Sequence, residues 1–200
     1  MSSEGGRGWG LVRRSFLLCM ACLSVSLAPE LQAQNVGRPD MADWIEPGRQ
    51  APDFVLPADD GSKVRLSELR GRAVVLYFYP RDNTPGCTRE ACAFRDRKAQ
   101  ISKLGAVVLG ISPDPVESHE KFRDKYKLNF PLLADTEHKV AEKYGAWREK
   151  VRFGKKSMGI QRSTFLIDAQ GTVRKVWKNV KVDGHDAQVL EALRRLDRDE

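Results

Sequence analysis

Seven consecutive apolar residues, 73–79, constrain the fold of this 200-residue chain more than any other segment. A strand with one face in solvent alternates polar and apolar residues, so an unbroken apolar run indicates a strand buried on both faces. Residues 106–111 have the same character. Helical patterns come after each run, at residues 87–104 and 115–126. Strands that alternate with helices predict an α/β protein whose sheet is covered on both faces.

The rest of the domain fits this architecture. A turn at residues 59–61 with apolar flanks predicts an early hairpin, and a second hairpin is predicted around residues 169–171. The sequence therefore predicts a three-layer α/β sandwich without internal repeats or a second domain. The remaining predicted elements are the strands 54–56, 63–66, 130–134, 163–168 and 172–177, a helical turn at 67–71, and the helices 138–144 and 186–196.

The first 33 residues have the pattern of an export signal. Arg13 and Arg14 precede an uncharged run at residues 16–28, and the small-residue sequence 31–33 is a candidate cleavage site. The run is too short to cross a bilayer as a helix, so we predict that the signal is removed. Residues 34–45 are predicted to form a flexible arm, and residues 46–200 a single domain.

The arginine pair bears on the export route. Residues 13–17 resemble a twin-arginine signal, although Val12 stands where that signal usually has Ser or Thr. The general secretory route therefore stays open. Either route predicts a periplasmic or otherwise exported protein.

Cysteine usage indicates chemistry in the mature domain. Cys19 and Cys22 lie in the export signal, which leaves Cys87 and Cys92 in an oxidising compartment. Two cysteines this close in sequence close too small a loop to be an obvious structural disulfide. We interpret them as reactive.

The charge of the chain does not indicate a polyanionic partner. Lys and Arg number 34 against 27 Asp and Glu, for a net charge of +7. The charges alternate in sign, as at residues 123–125, without a basic block. We predict a solvated surface, no nucleic-acid partner and no stable membrane insertion once the signal is removed.

The remaining polar candidates are interpreted as ordinary surface residues. His119, His138 and His185 are scattered and form no pair at metal-ligand spacing, so we predict surface residues and no metal site. Asp82, with its neighbours 81 and 83, is predicted to be a solvated loop residue.

Cys87 is the candidate nucleophile because it lies where a buried strand and a loop lead into a helix. A thiol reacts as the thiolate, and at the reference pKa near 8.5 only about 3% is ionised at pH 7. The first turn of a helix offers unpaired N–H groups and a partial positive charge, which favour an anion. A nearby arginine would act in the same direction.

The residues around Cys87 form a recognisable pattern. Pro80-x-x-x-Thr84-x-x-Cys87 continues through Cys92 within the run 74–96, and further matching motifs occur at 144–147 and 155–168. Over residues 46–197 the sequence resembles the peroxiredoxins, most closely the peroxiredoxin Q or bacterioferritin-comigratory-protein subfamily.

This resemblance implies a thioredoxin-like α/β/α sandwich with a central mixed sheet, reduction of hydrogen peroxide or organic hydroperoxides, and no cofactor. Cys87 matches the peroxidatic cysteine, which becomes a sulfenic acid. Thr84 matches the hydroxyl that hydrogen-bonds the thiolate and the peroxide. Arg162 matches the guanidinium that stabilises developing charge, and Pro80 the residue that shields the pocket. Glu90 is typical of the subfamily, and the sequence assigns it no role.

The resemblance also makes Cys92 the resolving cysteine, with thioredoxin or a similar dithiol protein as reductant and a monomer as the expected state. On an undistorted helix, residues five apart have Cα atoms roughly 8.6 Å apart, beyond the ~7 Å that a disulfide can bridge. We therefore expect the first turns of the helix to unwind when the disulfide forms.

Four alternatives exist, and the residues weigh against two of them. Cys92 could be a buried free cysteine, in which case an outside thiol would resolve the sulfenic acid. A thioredoxin-type oxidoreductase would need Cys-x-x-Cys, which this chain lacks. A peroxide sensor that passes its disulfide to a partner would share the chemistry of Cys87, whereas a pure binding module would leave that chemistry without purpose.

Overall fold

The computed structural model describes residues 43–152 and 154–199. A five-stranded mixed sheet in the order β5-β4-β3-β8-β9 forms the centre of this part of the chain, and two further antiparallel strand pairs, β1-β2 and β6-β7, lie beside it. The strands are β1 (Val55–Pro57), β2 (Lys63–Arg65), β3 (Ala73–Phe78), β4 (Ala106–Ser112), β5 (Leu132–Ala134), β6 (Trp147–Arg152), β7 (Lys155–Ile160), β8 (Ser163–Ile167) and β9 (Val173–Lys178), and the helices are α1 (Pro85–Lys103), α2 (Val116–Tyr126), α3 (Lys139–Lys143) and α4 (His185–Asp199), with a 3-10 helix at Leu66–Leu69.

The central strand is β3, which contains most of the continuous apolar run at residues 73–79. It pairs in parallel with β4 and antiparallel with β8. The outer pairs continue this pattern, since β4 and β5 are parallel whereas β8 and β9 are antiparallel. The predicted mixed sheet is confirmed.

The pleat of β3 sends its side chains alternately into two cores. Val75 and Tyr77 pack against α1, α2 and α4 on one face, and Val74 and Leu76 pack on the other face against α3, the first hairpin and the 3-10 helix. The chain therefore forms three layers around the sheet. Cys87 belongs to the core under α1.

The predicted elements are present, with shifts of a few residues at their ends. The shift that matters most is at α1, which begins at Pro85 with Thr84 as its N-cap residue, two residues before the predicted start. Proline suits the first helical position because its fixed φ is already helical and its missing N–H would be unpaired there. Cys87 is consequently the third helical residue.

The hairpin formed by β6 and β7 was not predicted from the sequence. Its strands carry Lys or Arg at many positions, and Val151 and Met158 are exposed rather than packed in a core. A strand that buries neither face lacks the alternating or continuous apolar pattern from which strands are predicted.

The predicted export signal and most of the predicted arm lie outside the described residues. Of the arm, residues 43–45 are described, and Trp44 and Ile45 pack against the core. Among the described residues, no helix has the length and apolar character needed to cross a bilayer.

Gly110 shows how tightly β3 and β4 pack. It lies opposite Tyr77 in the parallel register, and a Cβ atom there would come within 2.9 Å of the Tyr77 ring, its hydroxyl and Leu132. The Tyr77 hydroxyl is itself buried and finds no hydrogen-bond partner among the described residues. A glycine is required at this position because the tyrosine ring occupies the space of a side chain.

We expect Gly110→Ala to lower the free energy of unfolding by about 1–3 kcal/mol, because the core must shift to admit the methyl group. Urea denaturation followed by circular dichroism measures this. Gly159→Ala in β7 is the matched control, since its Cβ would meet only the flexible Lys150 side chain at 3.6 Å or more. Equal stability of the two variants would show that the core admits the methyl group without cost.

Candidate active site

Cys87 lies in the first turn of α1 and is 1% exposed. The N-cap residue Thr84 is extended, and its carbonyl accepts the first helical hydrogen bond, from the Thr88 N–H at 2.9 Å. The N–H groups before Thr88 have no partner within the helix, and they concentrate partial positive charge around the Cys87 sulfur. The start of the helix therefore places partial positive charge beside this sulfur.

Arg162 supplies a full positive charge to the same sulfur. It follows β7 and precedes β8, and its Nη2 donates to Cys87 Sγ at 3.1 Å. The guanidinium passes close to the helix backbone, since a Cβ at Gly86 would lie 3.4 Å from Nη2. The thiol and the guanidinium come from positions 75 residues apart in the sequence.

Glu90 holds the other side of the guanidinium. Its carboxylate accepts a hydrogen bond from Arg162 Nη1, so the arginine bridges the carboxylate and the thiol. The Glu90 side chain is 2% exposed and that of Arg162 15%. One turn of α1 separates Glu90 from Cys87, which places both on the same side of the helix.

Burial and charge have opposite effects on the pKa values of Glu90 and Arg162. Burial raises the pKa of Glu90 to about 7, although the attraction of Arg162 opposes the shift. Burial also lowers the pKa of Arg162, but the charges of Glu90 and Cys87 raise it by more, so the guanidinium stays charged. Near neutral pH the net charge beside Cys87 therefore depends on the protonation of Glu90.

Thr84 and Pro80 are both placed near the start of α1, with one difference from expectation. The resemblance assigns the Thr84 hydroxyl to the thiolate, yet its Oγ1 donates to the Arg81 carbonyl at 3.0 Å. A hydroxyl has one hydrogen to donate, so toward any further group Thr84 can only accept a hydrogen bond through its oxygen lone pairs. Pro80 is half-buried in the loop between β3 and α1.

Cys92 lies further along α1, which runs without interruption through both cysteines. Both thiols are free, Cys87 buried and Cys92 half-buried. In this helical state their Cα atoms are roughly 8.6 Å apart by ideal geometry, too far for a disulfide without backbone movement.

The predicted surface positions of Asp82 and two histidines are wrong. Asp82 is 6% exposed, His119 is fully buried and His185 nearly so. Each is buried because it has a polar partner: His119 contacts the Asp82 carboxylate, and His185 Nε2 lies 2.8 Å from Thr164 Oγ1. His138 is half-buried and stacks on the Trp147 ring.

These partnerships leave little trace in a single sequence. Asp82 and His119 are 37 residues apart, and each stands among other polar residues that look solvated.

Burial lowers the pKa of His185 to about 4, an effect that attraction to Asp186 opposes. The histidine is thus neutral at physiological pH. Within the described ranges, no group of three His, Cys, Asp or Glu side chains could hold a metal ion.

Comparisons with known proteins identify the family to which the chain belongs. Residues 47–176 match the AhpC/TSA family. Peroxiredoxin Bcp of Bacillus subtilis is 52% identical over 152 residues, which cover 76% of this chain and 97% of that protein. Peroxiredoxin Bcp of Escherichia coli is 44% identical over 150 residues, which cover 75% and 96%.

Solved structures give the same result. The bacterioferritin comigratory protein of Xanthomonas campestris, studied for alkyl peroxide reduction, superposes with a TM-score of 0.70 at 38% identity, covering 72% of this chain and 92% of that chain. Peroxidoxin BcpB of Mycobacterium tuberculosis superposes with a TM-score of 0.68 at 38% identity, covering 76% and 97%. The thioredoxin-like fold predicted from the sequence is confirmed.

The raised pKa of Glu90 predicts a pH-dependent contribution to stability. In the unfolded chain Glu90 ionises near pH 4.5 and in the folded chain near 7, so the folded state binds the proton more tightly. The free energy of unfolding should therefore fall as pH rises from about 5 to 8, relative to a Glu90→Gln variant that cannot ionise. The difference between the two proteins should change by about 2–3 kcal/mol over this range.

Urea denaturation at a series of pH values measures this difference. Glu120→Gln, which alters an exposed glutamate on α2, is the control and should track the wild type at every pH. A constant difference between the wild type and Glu90→Gln would show that Glu90 is ionised throughout.

Proposed function

Because the chain belongs to the AhpC/TSA family and is a peroxiredoxin, a thiol-dependent peroxidase, we propose that Cys87 reduces hydrogen peroxide and organic hydroperoxides and that Cys92 resolves the oxidised form. A thioredoxin-like dithiol protein returns the enzyme to its starting state. The contact between Arg162 Nη2 and Cys87 Sγ, 3.1 Å in a buried site, carries the proposal.

The peroxide step depends on this contact. The thiolate of Cys87 attacks one peroxide oxygen, the O–O bond breaks, and the sulfur becomes a sulfenic acid. The other oxygen leaves with the bonding electron pair and takes a proton to form water or an alcohol. Arg162 faces the negative charge on sulfur and stays beside it as the charge moves to the leaving oxygen. Because the guanidinium is fixed by Glu90, little reorganisation is needed during the reaction.

Thr84 has a role compatible with its observed hydrogen bond. Its hydroxyl hydrogen is donated to the Arg81 carbonyl, which leaves the oxygen lone pairs as acceptors. We assign them to the hydroxyl hydrogen of the bound peroxide. Pro80, half-buried in the same loop, limits the access of water to the sulfur.

Cys92 completes the cycle. Its thiol attacks the sulfenic sulfur of Cys87, a disulfide forms and water leaves. The two residues must approach by unwinding the start of α1. The external dithiol then attacks the disulfide, passes through a mixed disulfide and leaves oxidised. Nucleophile, guanidinium and resolving thiol all come from one chain, so the proposed working state is a monomer.

The substrate range rests on the comparison with the Xanthomonas protein, which was studied for alkyl peroxide reduction. The attacking thiolate needs only the terminal O–O–H group, which hydrogen peroxide and organic hydroperoxides share. We propose that this chain accepts both.

Steady-state consumption of peroxide with a thioredoxin system tests the roles of the two cysteines. We expect Cys87→Ser to abolish turnover, because the nucleophile is lost. Cys92→Ser should react once with peroxide and then turn over at least ten-fold more slowly, since an outside thiol must resolve it. Wild-type protein that stops after one equivalent with every dithiol donor would favour a sensor that passes its disulfide to a partner.

Amide hydrogen exchange tests the unwinding. We expect residues 86–96 to be protected in the reduced enzyme and to lose protection after one equivalent of peroxide, because the disulfide cannot form in the helix. Cys92→Ser treated in the same way is the control and should stay protected. Equal protection of this segment in both redox states of the wild type would overturn the proposal.

A further inference from the structure

The loop between β3 and α1 is held by one residue, Asp82, that the peroxide chemistry does not use. Both oxygens of its carboxylate accept hydrogen bonds inside the protein. Tyr79 OH donates to Oδ1 at 2.8 Å, and Ser118 Oγ donates to Oδ2 at 2.7 Å. His119 Nδ1 lies 2.8 Å from the same Oδ2. A carboxylate only accepts, so this contact places the imidazole hydrogen on Nδ1.

The backbone of Asp82 is held as firmly as its side chain. Its N–H donates to Asp114 Oδ2 at 2.8 Å, and Ser112 Oγ donates to that same oxygen at 2.7 Å. The donors and acceptors thus come from the ends of β3 and β4 and from the first turn of α2. Asp82 therefore connects the loop to these three elements through hydrogen bonds.

The residues after Asp82 connect the loop to α1. Asn83 has φ +57°, a left-handed backbone that asparagine adopts more readily than most residues other than glycine. Thr84 is extended and binds back to the Arg81 carbonyl. The contacts of Asp82 hold the chain immediately before these two residues.

We propose that Asp82 is a positioning residue, held by His119 and Ser118, that fixes the loop carrying Pro80 and Thr84. The loop leads directly into the N-terminus of α1, so its position determines where Thr84 and the first-turn N–H groups lie relative to a peroxide. A displacement of about 1 Å in such groups can cost a hundred-fold in rate. The anchors lie in α2 and in strand ends, outside α1 itself.

This role of Asp82 rests on the proposed peroxidase activity of Cys87 and not on the role of Cys92. Its test therefore uses the single reaction of reduced enzyme with excess hydrogen peroxide, followed by stopped flow in the Cys92→Ser background. A failure of the resolving or reducing step would leave this measurement unaffected, and a parent protein that does not react with peroxide would instead reject the proposed function.

His119→Leu removes the imidazole donor and His119→Asn places an amide N–H near the position of Nδ1. We expect His119→Leu to lower the second-order rate constant for peroxide about 10- to 100-fold and His119→Asn to restore it to within about three-fold of the parent. Ser118→Ala removes one donor from a half-buried site, and we expect a loss of about three- to ten-fold. This variant keeps the test available if His119→Leu does not fold.

Val189→Ala in α4 is the control for loss of stability alone. It trims a buried side chain of the same core on a helix that makes none of the hydrogen bonds of Asp82, and it should keep the rate constant of the parent. Unchanged rate constants in His119→Leu and Ser118→Ala would overturn the proposal. So would a rate loss that Val189→Ala shares, or one that His119→Asn does not restore, because the network would then serve stability alone.

Discussion

The active site depends on one interaction: the Arg162 guanidinium lies inside the protein, between the Glu90 carboxylate and the Cys87 thiol. Arg162 can stay charged in a nearly buried position because Glu90 and Cys87 both raise its pKa against the effect of burial. Glu90 in turn is buried with Arg162 as its charged partner. Removing either partner would leave the other as an uncompensated buried group, which is strongly unfavourable. The fold brings the three together by pairing β3 with β8, which places Arg162 beside the start of α1.

In the proposed cycle, one part of the site moves and another stays fixed. The moving part is the start of α1, which must open for the proposed disulfide to form. The fixed part is the loop before it, bonded through Asp82 to α2 and to the strand ends. Fixing the loop preserves the geometry that the next peroxide meets. A site in which both parts moved would have to find that geometry again in every cycle.

The features that local chemistry determines could be predicted from the sequence. A continuous apolar run identified β3, and the position of Cys87 at the start of the next helix, which the structure shows, made it the candidate nucleophile. Arg162 could be assigned only through resemblance to a family, since nothing in its neighbours points to a thiol 75 residues away. Asp82 and His119 were missed because a polar residue is buried when a partner distant in sequence satisfies it. The hairpin of β6 and β7 was missed because it buries too little apolar surface to leave a pattern.

Because α1 runs without interruption through both cysteines, the stability of this helix would affect the reduction potential of the disulfide. A disulfide between Cys87 and Cys92 would exist only in a chain whose helix is partly unwound, so whatever stabilises the helix disfavours the oxidised form. For a two-electron couple, about 1.4 kcal/mol of such stabilisation raises the reduction potential by about 30 mV. Residues of α1 far from the sulfur atoms, including those that pack its far end against α4, would thus tune how readily an external dithiol reduces the enzyme. The reduction potential of such an enzyme would be a property of its helix as much as of its cysteines.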